Sequence, residues 1–163
     1  MTYFPDRSPY GYLAEAREDN AFNIGWLDRS VPYQKGDVPA EFVYRLRAIC
    51  RSGVNRTRGL HQCNLCPADQ GTNWPPSPTT IRASAGDYVV GGAEIRVPGR
   101  DGIVYASPDM IIHYVEAHGY RPPDDLRLLY HPIPARATPE SRPGVELTAI
   151  EPDAMRVRLI HSL

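Results

Sequence analysis

The chain has 163 residues, of which 42% are hydrophobic and 23% charged, and a formal net charge of −1. That length suits one domain with its own core, and a charge near zero offers no overall field for nucleic acid or an anionic membrane. No apolar run approaches the roughly 18 residues of a membrane span.

The opening MTYFPDRSPYGYLAEARED has neither a basic start nor an apolar stretch, so no secretory leader is expected. The expected compartment is the cytoplasm. There, three cysteines read as metal ligands, catalytic groups or core residues before they read as disulfides. Lys35 is the only lysine among 18 basic residues. The arginine excess reads as coding bias, since bidentate anion recognition would need a cluster on one face.

The 17 prolines exceed the usual share of about 5% and predict short elements on stiff connections. Tyr3, Phe4, Tyr10, Tyr12, Phe22, Trp26 and Tyr33 alternate with turn formers such as Pro5-Asp6 and Ser8-Pro9. This predicts an ordered arm anchored by its rings, with a short helix near 14–19.

The first long helix is predicted over 38–52, with Asp37 as cap, Pro39 in the first turn and Gly53 as the stop. Phe42, Leu46, Ile49 and Cys50 form its inward stripe, with Val43 beside Phe42. Cys50 therefore reads as a small core residue. Glu41 and Arg45 make an outward i,i+4 pair.

Strands are predicted at 88–90, 93–97 and 103–106, joined at Gly91-Gly92 and at 98–102, as a meander. Glu94 and Arg96 alternate with Ala93, Ile95 and Val97, which predicts one wet face. The second main helix is predicted over 108–118, capped by Ser107, begun by Pro108 and Asp109, and stopped by Gly119. Pro122-Pro123 forbids its resumption, and one more short helix is expected at 124–130. Residues 131–144 read as a linker, with a terminal hairpin from 145–150 and 154–160. The expected organisation is one α+β domain over 1–130, with 131–163 packed on it.

The chemistry concentrates in two places. RGLHQCNLC places Cys63 and Cys66 two residues apart, with His61 just before them. IIHYVEAHG places His113 and His118 on the second helix. Two thiolates and two imidazoles are the donor set of structural zinc sites, and both spacings fall in the usual range. A cysteine loop, then strands, then a helix with the second pair is treble-clef-like.

Histidines five apart on an ideal helix diverge by about 140°. His118 therefore completes the shell if the helix end deforms, and His61 is the substitute fourth ligand if it does not. A thioredoxin-type couple fits less well, because no helix opens at this CxxC. Alone, His113 would read as a hydrogen-bonded core residue, and His118 as a cation favoured by the helix C-terminus.

A closed Cys₂His₂ shell would be structural. An open one would make a zinc hydrolase, with Glu116 or His118 assisting water. HYVEAH is neither HExxH nor the zinc-deaminase order, so no catalytic residue is assigned, and Glu116 enters only if the site is open. A nucleic-acid role through the arginines of 51–58 is a weaker alternative.

Further blocks accompany these motifs: Asn23-Ile24-Gly25-Trp26-Leu27-Asp28, Ala93-Glu94-Ile95-Arg96-Val97, Tyr105-Ala106-Ser107-Pro108 and His118-Gly119-Tyr120-Arg121-Pro122-Pro123. Together with the HxCxxC and HYVxxH stretches, they resemble a family of small uncharacterised bacterial proteins frequent in actinomycetes. The resemblance covers roughly residues 22–124 and implies that both motifs belong to one site, but it implies no activity. The sequence is thus read as a small α+β protein with an antiparallel meander, two main helices and a treble-clef-like Zn²⁺ site. Its expected role is binding or interaction, with another protein as the expected kind of partner.

Overall fold

In the computed structural model, which describes residues 2–16, 18–67 and 77–128, a three-stranded sheet separates two apolar layers. The sheet joins β1 (Ala21–Asn23), β4 (Glu94–Pro98) and β5 (Val104–Pro108) in the order β1-β5-β4. β4 and β5 form the predicted hairpin, in register from Glu94↔Pro108 to Pro98↔Val104. β1 runs parallel to β5, with Phe22 opposite Tyr105. The sheet is therefore mixed, and the all-antiparallel meander is corrected. The strand at Tyr88–Val89 (β3) pairs instead with Thr80–Ile81 (β2) in a separate two-stranded sheet. Gly91-Gly92 is not a hairpin turn between β3 and β4.

Period-two alternation decides what each layer receives. Ile95, Val97 and Tyr105 point into the larger layer. There they meet Phe42, Leu46 and Cys50 of α1 (Ala40–Arg51) and Ile111, Ile112, Tyr114 and Val115 of α2 (Ile111–His118). The α1 stripe is the predicted one at i, i+4 and i+8, with Val43 and Ile49 half-buried beside it. Cys50 is a core residue, and burial raises its thiol pKa far above the usual range. Asp37 makes no cap, because Pro39 occupies the cap position without a side-chain bond.

The opposite face of the sheet is covered by the aromatic arm. Tyr10, Ala21, Trp26 and Ala106 form a second buried cluster, with Phe4, Tyr12, Leu13 and Val104 against it. Phe4 meets Trp26 edge-on at 5.7 Å, and the Trp26 indole N–H donates to Ala106 O at 3.1 Å. This cover corrects the wet face expected for β4. Glu94 is only 1% exposed and accepts hydrogen bonds from Tyr10 Oη and Asn55 Nδ2, each at 2.9 Å. The Arg96 guanidinium lies 3.5 Å from Glu94 and 4.1 Å from the Tyr10 ring centroid. Burial, then the bond to Glu94, pushes the Tyr10 hydroxyl up to about 12.

The second helix starts later than predicted. β5 runs through Ser107 and Pro108, and α2 opens at Ile111 behind Met110 without a side-chain cap. Gly119 ends it at φ 63°, as expected of a left-handed stop. A short α3 (Asp124–Leu128) follows. The chain divides into a unit of Met1–Pro132 and one of Ile133–Leu163. The expected linker and terminal hairpin lie outside the described residues.

Candidate metal centre

The cysteine loop is seated on the turn at 91–93. Thr57 N–H donates to Gly92 O at 2.8 Å and His61 N–H to Gly91 O at 2.7 Å. Gly91 has φ +105°, and a Cβ there would collide with His61 O, so only glycine permits this approach. The other side of the turn is held by Asp109, two residues before α2. Its Oδ1 accepts the Gly91 N–H at 2.7 Å, and its own N–H donates to Ala93 O at 2.9 Å. Burial raises the Asp109 carboxyl, and the Gly91 N–H opposes that rise. Asp109 thus braces a turn where a helix-start role was expected. Loop and helix are tied through this turn by protein contacts alone.

The end of α2 resolves the geometry of its two histidines. Gly119 N–H bonds back to Tyr114 O, five residues away, and Tyr120 N–H reaches the same oxygen at 3.0 Å. The last turn is therefore wider than an α-turn. More residues per turn means less rotation per residue, and His118 swings back towards His113. The two rings lie edge to face, with centroids 5.0 Å apart.

Cys63, Cys66, His113 and His118 each contribute one donor atom to a cluster lying within 4.8 Å of one another, and this group could hold a metal ion. Cys63 is buried and the other three are half-buried. His118 Nε2 lies 3.2 Å from Cys63 Sγ, 3.4 Å from Cys66 Sγ and 3.3 Å from His113 Nε2, while His113 Nε2 lies 3.2 Å from Cys66 Sγ. A ring nitrogen carries either one hydrogen or one lone pair. His118 Nε2 cannot satisfy three such contacts as hydrogen bonds. A tetrahedron with bonds of about 2.0–2.3 Å has edges of about 3.3–3.8 Å, so all four contacts lie at or just under the length of such edges.

Electrostatics favour neutral imidazoles. Burial, then the neighbouring His118 charge, lowers the His113 pKa, and burial, then Lys35, lowers that of His118. Neutral rings are the form that ligates metal.

The other candidate residues lie elsewhere. His61 is exposed, with Nε2 3.2 Å from Tyr12 Oη, and is not part of the cluster. Glu116 accepts from Arg47 Nε at 2.5 Å, an ion pair joining α2 to α1. Arg56 and Arg58 are exposed beside the loop. Sequence reasoning missed Asp28, Arg29 and Asp109, which support the loop from positions distant in the chain. The block Asn23–Asp28 stands out as a sequence, but nothing local says that its last residue meets Asn64.

No curated protein and no solved structure matches the chain. Residues 2–127 match a family described as a domain of unknown function (DUF7919), and the chain therefore belongs to that family.

Proposed function

We propose that the protein holds a Zn²⁺ ion in a closed Cys₂His₂ shell of Cys63, Cys66, His113 and His118, and that the ion is structural. One observation carries this reading: His118 Nε2 meets three other donor atoms at 3.2–3.4 Å, more than its single hydrogen or lone pair serves well and as donors around a shared cation would lie. Two thiolates with two imidazoles suit zinc over harder ions. The ion would tie the cysteine loop to the end of α2 in a treble-clef-like manner. The structural role is supported by the engagement of the two alternative groups elsewhere, Glu116 on Arg47 and His61 on Tyr12.

On this reading the domain is a cytoplasmic binding module for another protein. Its support is Tyr44, 71% exposed on α1 above a groove of about 170 Å³ lined by Arg47, Arg51 and Tyr88. Exposed tyrosine beside arginine is the composition of interface anchors.

Metal analysis of the purified protein tests the site, with one zinc per chain expected and none in Cys63→Ser. The Co²⁺-substituted protein should show tetrahedral absorption that azide leaves unchanged, whereas an azide-sensitive spectrum would mean an open, hydrolase-type site. A folded wild-type protein without metal, indifferent to chelators, would end the proposal.

A further inference from the structure

We infer that Asp28 and Arg29 are positioning residues that hold the Cys63–Cys66 loop ready for its ion. Metal affinity is then set partly from the N-terminal segment. This rests on the reading of the cluster as a metal site.

Arg29 spans the loop backbone with its guanidinium. Nε donates to Asn64 O at 2.5 Å and Nη2 to Cys66 O at 2.6 Å. A planar fork reaches two carbonyls two residues apart, and a lysine's single ammonium is a poor substitute for it. Asp28 grips the same loop from its side chain: its Oδ2 accepts from Asn64 Nδ2 at 2.6 Å. The carboxylate is itself fixed, because Oδ1 accepts from the Ser30 hydroxyl at 2.7 Å and the Ser30 N–H at 2.9 Å. These bonds, those of Ser30 foremost, keep the Asp28 pKa below the ordinary value. The clamp has a rigid base, since Trp26 and Leu27 immediately before it are buried.

A free CxxC loop must be ordered when its ion arrives, at a cost in backbone entropy for each residue fixed. Here that ordering precedes the ion. Asp28 and Arg29 lie at the surface, the former half-buried and the latter exposed, so their contacts add little to folding. Their effect falls on the loop and hence on affinity, as outer-sphere partners of metal ligands do.

The test measures Zn²⁺ affinity by competition with a chromophoric chelator for the full-length wild type, Arg29→Gln, Asn64→Ala and Arg29→Lys. The thermal midpoint of each is recorded in excess chelator. Arg29→Gln and Asn64→Ala should bind about 10–100-fold more weakly, with altered Co²⁺ spectra and metal-free midpoints close to wild type. Arg29→Lys should recover only part of the loss. Affinities within about twofold of wild type in both loop variants would overturn the clamp while leaving the metal site standing. Loss of the metal-free fold in both variants would also overturn it, by assigning these contacts to folding. A wild type that takes up no metal would remove the metal reading, and the clamp with it.

Discussion

Two polar clusters in this molecule draw their members from distant parts of the chain, and they close in opposite ways. Around Glu94, one carboxylate meets a hydroxyl, an amide and a guanidinium, so acceptors face donors and a charge faces its opposite. Around His118, two sulfurs and two ring nitrogens converge, and all four are electron-pair donors. The first cluster pairs opposite kinds of group within the protein, with Glu94 Oε2 held by the Arg96 charge at 3.5 Å, whereas the second gathers groups of one kind that could share a metal ion. Buried polar groups must be satisfied, and the kind of group that is missing tells what would satisfy them.

The largest expected effect separates the two clusters. Chelation removes binding energy that for structural zinc is on the order of 10 kcal/mol. Calorimetry should therefore show a clear fall in Tm, while near-ultraviolet signals of the Tyr10–Trp26 layer survive. Glu94→Ala makes the reciprocal break. It removes the acceptor of Tyr10 Oη and Asn55 Nδ2 and one ion pair of Arg96, which keeps its pair with Glu18, and should cost about 2–4 kcal/mol. Chemical denaturation reads that loss, and metal content should stay at one per chain.

Gly91→Ala lies between the clusters. It forces a side chain into His61 O at a positive φ, a strain of about 1–3 kcal/mol. Because that turn seats the cysteine loop, Zn²⁺ affinity should fall in the same variant.

Acid sharpens the comparison more gently. His113 and His118 have lowered pKa values in the fold, burial being the first cause of each. Below about pH 6.5 the unfolded chain therefore binds more protons than the folded one. Stability of the chelated protein is full above that pH and falls as pH drops through the folded values of the two rings. A series of denaturant midpoints between pH 8 and 5, on the order of three units around the histidine range, should slope in that direction. His113→Gln with His118→Gln should flatten it. The smallest effect belongs to Glu41→Ala, which breaks the 2.6 Å surface pair with Arg45 and should cost only a few tenths of a kcal/mol.

Several features of the fold are legible in the amino-acid sequence. The α1 stripe, the β4–β5 hairpin and the Gly119 stop follow from spacings of a few residues, and so do the Cys63–Cys66 and His113–His118 donor pairs. Each is a local signal with a local consequence. The helix start at Ser107 fails for a nonlocal reason: β5 continues through Pro108 because β4 pairs with it, and a ladder outweighs a cap. The expected wet face fails likewise, since Tyr10 and Asn55 cover Glu94 from 84 and 39 residues away in sequence.

By itself, the sequence determined the donor types, their pairing in CxxC and HxxxxH, and an α+β chain with a neutral overall field. Tertiary structure alone decided that His118 and not His61 stands with the other three donors. It also decided that β1 lies parallel to β5 and that Asp28, Arg29 and Asp109 support the loop. The physical reason is range. Periodicity and capping act over one or two turns of chain, whereas the widening of the last α2 turn and the seating of the loop on Gly91 depend on which surfaces meet after the chain has folded.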